Sequence, residues 1–310
     1  GNESDYIILC AGLGGGTGSG GIPVLIQALL AKEKKVMLLL TLPDDTEGVE
    51  VQVNAFNSCL NILKIIESYK VPYILIENNK IREKMDSTNN FDWSSVNQSL
   101  GKVFSQFNVS ANKTSSYTTF DETDYKKTLY VSGMMTLVKV TLNASDINNE
   151  NVLRDAIMEA WTDKNYFVDF DPKTATIITT IIEAPDKFLS NRDNYKLLNT
   201  SLLKLRDQCG SVSPYQGIYA YDSRQESNRK DKLTAYCMLT GLKAPTEKLA
   251  SLRTKALEEQ EAMKQKEMGN KIDFASFSAI GSVFANEPER KNVKVDSLTD
   301  IEEEEDISFL

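Results

Sequence analysis

Two clusters of residues could carry chemistry in this chain. The first is the run CAGLGGGTGSGG, Cys10 to Gly21, which directly follows an apolar stretch. Glycine gives up side-chain contacts and costs conformational entropy, so such density lets something approach the main chain closely. A helix starting here would offer free N–H groups and a positive dipole end to a phosphate, and Thr17 and Ser19 add hydroxyl donors. The second cluster is Asp121 and Asp124 in TTFDETDY (118–125). Three apart on a loop or first helical turn, the two carboxylates face one way and can orient a water or hold a hydrated cation. The same spacing also suits an acidic N-cap on a helix starting near residue 122.

A Walker loop requires GxxxxGK[ST], and no lysine follows these glycines, so that reading is excluded. A dinucleotide loop requires GxGxxG, which Gly16, Gly18 and Gly21 match, with Asp44 or Asp45 available as the ribose carboxylate. An NAD(P)-dependent oxidoreductase therefore stands as one alternative, and a nucleotide-independent assembly protein as another.

The chain contains no histidine. Ser-His-Asp triads, Cys-His pairs and His-ligated metals are thereby excluded, and no metal held by the protein itself is expected. A net charge of −9 leaves no basic surplus for general nucleic-acid binding. The four cysteines are far apart without CxxC pairing, which fits a reduced, cytoplasmic setting. No apolar run reaches the ~18 residues of a membrane span, so no membrane partner is expected.

Hydrophobic patterning places these clusters on an alternating frame. DYIILC (5–10), KVMLLLTL (35–42) and PYILIE (72–77) read as buried strands, the last followed by an NNK turn. Between them, 21–33 reads as a helix with Pro23 in its first turn, and 49–69 as a helix carrying apolar Val53, Phe56, Leu60, Leu63 and Ile66, spaced by three or four. This order implies a doubly wound parallel α/β layer. A helix over 91–107 buries Val96, Leu100, Val103 and Phe107. Beyond about 113, strands at 136–142, 174–182, 217–221 and 233–242 mix with helices near 150–161 and 187–206, an α+β pattern. Residues 246–270 read as a charged helix, and the end, 296–310, is an acidic run closed by Ile, Phe and Leu.

GGGTGSG (Gly14–Gly20), set between strand and helix, resembles the signature loop of the tubulin/FtsZ-like GTPases. LPDDTEG (42–48), LIENNK (75–80), the 91–107 helix and TTFDETDY resemble later landmarks of that family in order, and most resemble its TubZ-type plasmid and phage partition members. Thr119 stands where the family usually has asparagine. The resemblance implies GTP/GDP as ligand, with Mg2+ carried by the nucleotide. Gly14, Gly15, Gly16, Thr17, Gly18 and Ser19 would cradle phosphates, and Asp44 and Glu47 would border ribose or the magnesium-bearing phosphates. Asn97 would touch the base, with Phe91 or Trp93 stacking nearby. Asp121 and Asp124 would enter the next subunit's site as catalytic carboxylates. It also implies that a first set of strands with another phosphate loop precedes this region. Residues 1–90 then end a GTP-binding domain, 91–112 form a central connecting helix, 113–245 an α+β activation domain, and 246–310 a charged helix and disordered acidic tail. The expected partners are further copies, joined head-to-tail into filaments, and a DNA-bound adaptor recruited by the tail, with no direct nucleic-acid contact.

Overall fold

A computed structural model describes residues 6–87, 92–162, 165–210, 212–223 and 231–269. Phe91 and the acidic run at 296–310 lie outside the described residues. Residues 1–262 form one compact unit, and of the second, Met263–Leu310, only the end of a helix is described.

The frame is a sheet of seven strands in the order β1-β2-β3-β4-β7-β5-β6. Strands β1 (Tyr6–Gly12), β2 (Lys35–Leu42) and β3 (Pro72–Glu77) are parallel. Helices α1 (Gly16–Ala31) and α2 (Val49–Tyr69) make the crossovers. β2 and β3 are nearly continuous apolar runs because helices and neighbouring strands cover them. Helix α3 (Asn78–Ser87) follows β3, then α4 (Trp93–Ser110) and α5 (Glu122–Leu129). β4 (Gly133–Asn143) continues the sheet, parallel to β3 only at Pro72–Gly133 and Tyr73–Met134. The two strands then separate, and residues 165–168 fill the gap: Phe167 bridges Ile76, and the Glu77 N–H donates to the Tyr166 carbonyl at 2.8 Å. After α6 (Val152–Thr162) come β5 (Ile177–Pro185), α7 (Asp186–Leu189), α8 (Arg192–Gln208), β6 (Ser213–Tyr221), β7 (Lys232–Leu242) and α9 (Thr246–Gly269). β7 pairs antiparallel with both β4 and β5, and β5 pairs parallel with β6. The result is the expected α/β architecture: a parallel layer joined through α4 to a mixed half. Val96, Leu100, Val103 and Phe107 of α4 are all buried, as their spacing predicts.

Three local expectations are corrected. Helix α1 begins at Gly16, not near 21, because the Ser19 N–H already donates to the Gly15 carbonyl. Pro23 therefore lies inside the helix rather than in its first turn, and has no N–H to donate to the Ser19 carbonyl. The NNK stretch opens helix α3 instead of forming a turn. On α2 the buried stripe is Gln52, Ala55, Cys59, Ile62 and Ile66, while Leu60 is exposed. Small residues along that stripe let α2 pack close to α1.

Candidate functional site

The glycine run makes the turn from β1 to α1. Leu13 is fully buried, and its N–H donates to the Thr41 carbonyl at 3.0 Å, holding the turn beside the end of β2. The glycines divide by what a Cβ would meet. At Gly14 it would lie 2.3 Å from Val51 Cγ1, and at Gly18 2.3 Å from the Gly12 carbonyl oxygen, so these two are required by packing. At Gly15 and Gly16 a Cβ would meet nothing within 4 Å, and Gly15 has ordinary extended angles (φ −89°, ψ 155°). Their bareness serves nothing inside the fold. The N-terminus of α1 has no side-chain cap and no acid in its first turn. Its opening amides, from Gly16 to Gly18, have no intrahelical acceptor and face an exposed edge. Backbone donors, a positive helix end and open space around two glycines fit an incoming phosphate. Thr17 is exposed there, whereas the Ser19 hydroxyl donates to the Leu13 carbonyl and braces the turn.

The β2–α2 loop, Pro43 to Gly48, lies alongside. Asp44 is 1% exposed and organises this loop. Its carboxylate accepts from the Thr46 N–H at 2.8 Å, from the Thr46 hydroxyl, and from Arg82 Nε at 2.9 Å. Glu47 Oε1 accepts from the Asp44 N–H at 3.0 Å, and Gln52 Nε2 donates to the Asp44 carbonyl at 2.6 Å. The two acids thus hold the loop in shape. Burial works to raise the Asp44 pKa, but the Thr46 and Arg82 hydrogen bonds outweigh it and hold the carboxyl below its ordinary value. A depressed carboxyl pKa contributes stability that is complete above the unfolded-state value of ~3.9 and is lost as pH falls through the folded value. Asp44→Asn should therefore flatten the acid limb of stability, checked by thermal midpoints between about pH 3 and 6.

Arg82 escapes sequence reading because it sits on α3, just past the NNK stretch expected to be a turn. Asn78 and Gln52 were also missed. Asn78 Oδ1 and Gln52 Oε1 are buried side-chain oxygens without a hydrogen-bond partner. Asn78 follows β3 directly, and the register aligns Gly12 with Thr41 and Leu42 with Glu77. Two inter-strand spacings, about 10 Å, therefore separate the glycine turn from the end of β3. A ligand spanning that width could offer a hydrogen-bond donor to the orphaned Asn78 oxygen. Asn97 lies on the exposed face of α4, and Trp93 is exposed at its start.

Asp121 and Asp124 fall elsewhere. Asp121 is the N-cap of α5, and its Oδ1 accepts from the Asp124 N–H at 2.9 Å. Partial burial, and then the Asp121 charge, raise the Asp124 carboxyl above its ordinary value. The end of α5 is tied to the start of β1, since the Tyr6 hydroxyl donates to the Leu129 carbonyl at 3.1 Å. The segment after it pairs Gly133 with Pro72, the first residue of β3. The end of α5 thus packs where β1 to β3 begin, and the glycine turn lies where they finish; the carboxylate pair opens that helix, directly after Phe120, whose N–H donates to the Tyr219 hydroxyl of β6 at 3.1 Å. Six residue steps of ~3.3 Å put those ends of β1 about 20 Å apart. Within one chain the two clusters do not meet.

A strand, glycine turn and helix at the carboxyl edge of a parallel sheet define an α/β nucleotide-binding fold. The dinucleotide version is overturned: Gly16, Gly18 and Gly21 all lie within α1, so the turn itself is made by residues before the GxGxxG pattern. A Cβ at Gly21 would meet nothing within 4 Å, so it does not serve the helix–strand packing that pattern requires. The chain belongs to the tubulin/FtsZ family: the Tubulin/FtsZ family GTPase domain matches residues 2–86, and the TubZ-like C-terminal domain of Tubulin/FtsZ-like proteins matches residues 106–246. The tubulin-like protein TubZ of Bacillus cereus is 24% identical, over 98% of this chain and 72% of its own length. The fold is similar to GDP-form protofilaments of Bacillus thuringiensis serovar israelensis TubZ (TM-score 0.68, 20% identity, covering 86% of this chain and 71% of that one). It is likewise similar to a type III plasmid segregation TubZ (TM-score 0.67, 18% identity, 84% and 70% coverage). No helix among the described residues is long and apolar enough to cross a membrane.

Proposed function

We propose that this protein binds GTP at the Gly14–Gly18 turn, assembles head-to-tail, and hydrolyses GTP where two copies meet. The separation of the two clusters supports the reading: the glycine turn lies at the carboxyl edge of β1 to β3, and the carboxylate pair caps a helix whose other end packs where those strands begin. A copy translated along the strands brings its Asp121 and Asp124 toward the glycine turn of its neighbour, whereas neither cluster suffices alone. Such a contact is heterologous and does not close, so it builds filaments. The amides of Gly16 to Gly18 and the Thr17 hydroxyl hold phosphate oxygens, Asp44, Glu47 and Arg82 shape the wall, and Asn78 and Asn97 are available to the base. Mg2+, carried with the nucleotide, supplies charge neutralisation. Asp121 and Asp124 of a neighbouring copy orient the attacking water.

In this reading residues 1–90 supply the phosphate side and 113–245 the activation side. The relatives named TubZ, one of them from plasmid segregation, support a role in moving plasmid or phage DNA in the cytoplasm, with the acidic C-terminal run engaging a DNA-bound adaptor. The test is GTP turnover against protein concentration, with light scattering in the same cuvette. Turnover per subunit should rise steeply above a critical concentration together with scattering. A flat rate per subunit at every concentration would remove the shared site.

A further inference from the structure

The carboxylate pair opens α5, but the place where α5 opens is fixed from another strand. Residues 111–119, between the end of α4 and Phe120, form an irregular and mostly exposed segment. Both of its ends meet one side chain. The hydroxyl of Tyr219, buried on β6, donates to the Ser110 carbonyl at 2.9 Å and accepts from the Phe120 N–H at 3.1 Å. Ser110 is the last residue of α4, and Phe120 directly precedes Asp121. The neighbouring Ile218 holds the middle of the segment. Its N–H donates to the Thr118 carbonyl at 2.8 Å, and its carbonyl accepts from the Ser115 hydroxyl. Thr119 closes the segment on itself, its Oγ1 accepting from the Ser115 N–H at 3.0 Å. Phe120 is fully buried, edge-on to Phe107 and Tyr125. It lies so close over β6 that a Cβ at Gly217 would come 2.8 Å from its own. Ordering exposed backbone costs conformational entropy. What these ties give in return is a fixed entry into α5.

We infer that Tyr219 is a positioning residue for GTP hydrolysis: by tying Ser110 to Phe120 it sets the place from which Asp121 and Asp124 reach a neighbouring copy's nucleotide. The inference rests on the shared-site reading above and adds the group that aims the carboxylates. Tyr219 acts through the Phe120 backbone, not on the nucleotide. Misplacing a reacting group by about 1 Å costs on the order of 100-fold in rate. Loss of this one hydroxyl therefore shows in turnover, while GTP binding at the glycine turn is untouched.

The test is steady-state GTP turnover of the full chain above its critical concentration, with nucleotide affinity and thermal midpoints alongside. Tyr219→Phe should lower kcat about tenfold or more, with KM and GTP affinity unchanged. Tyr221→Phe is the control: an equally buried tyrosine of the same strand, whose hydroxyl donates to the Lys232 carbonyl at 2.7 Å. It should lose thermal midpoint but keep wild-type kcat. Adding Tyr219→Phe to the Asp121→Asn, Asp124→Asn variant should cause no further loss, since nothing is left to aim. Where Tyr219→Phe does not fold, Ser115→Ala answers instead. It releases the segment from Ile218 without touching the phenol, and should lower kcat at unchanged affinity. Wild-type kcat in the folded variant, an equal loss in Tyr221→Phe, or a full further loss in the triple variant overturns the inference and leaves the shared site standing. Wild-type turnover per subunit that is flat with concentration removes both.

Discussion

Replacing Asp121 and Asp124 together by asparagine is expected to lower GTP turnover about 100-fold or more, the scale set by losing a positioned acid–base group. GTP affinity should stay unchanged and filaments should persist longer. Asparagine is the right substitution because the two residues also cap α5. Asp121→Ala would remove the acceptor of the Asp124 N–H and cost about 1 kcal/mol of helix stability, confusing a fold effect with a catalytic one. Asparagine caps as well as aspartate and removes only the charge. The sign of the Asp124 effect can be worked out. Its carboxyl pKa is raised by partial burial and by Asp121, so its ionisation opposes folding as pH rises above the unfolded-state value. Asp124→Asn should then hold or raise the thermal midpoint at neutral pH while turnover collapses. Normal turnover in the double variant, with its midpoint intact, would leave the pair as a helix cap alone.

The glycine turn offers the second large effect, and the fold separates its members. Gly16→Ala should stabilise the chain by up to about 1 kcal/mol, since alanine replaces glycine within a helix. Its Cβ meets nothing of the protein, so any conflict is with ligand. GTP affinity should fall about tenfold or more, roughly 1.4 kcal/mol. Gly18→Ala should behave differently. Its Cβ would press on the Gly12 carbonyl, a backbone atom that cannot swing away, and overpacking of this kind costs about 1–3 kcal/mol. Titration with a fluorescent GTP analogue beside thermal melts reads both quantities. Equal affinity of Gly16→Ala and wild type would mean that the open glycines hold no phosphate.

The strands β1 to β3, the α4 face and the general α/β class were legible in the sequence because each is written in local apolar spacing. The glycine turn was legible as a unit, and the carboxylate pair as a spacing. Helix boundaries were less so: α1 starts inside the glycine run because a helical N–H bond forms there despite poor propensity, and α3 forms from NNK where turn residues suggested a break. On α2 the apolar spacing pointed to the right side of the helix only in part: Ile66 is buried and Phe56 and Leu63 pack against the core, but Leu60 is exposed, and the buried residues include Gln52 and Ala55, which no apolar spacing marks. Arg82 and Asn78 gain their roles only from what lies across space: a buried carboxylate 38 positions away in one case, and an orphaned oxygen at a strand end in the other.

By itself, then, the sequence determined the strands, the bare backbone for a phosphate, and the exclusion of histidine chemistry, because these depend on residue types and short-range periodicity. Only the tertiary structure decided which glycines are needed for packing and which stand open, since a Cβ clash depends on neighbours from other elements. Only it decided that the helix capped by Asp121 ends where β1 begins, away from the glycine turn. Strand direction and pairing set that separation, and no spacing along the chain encodes it.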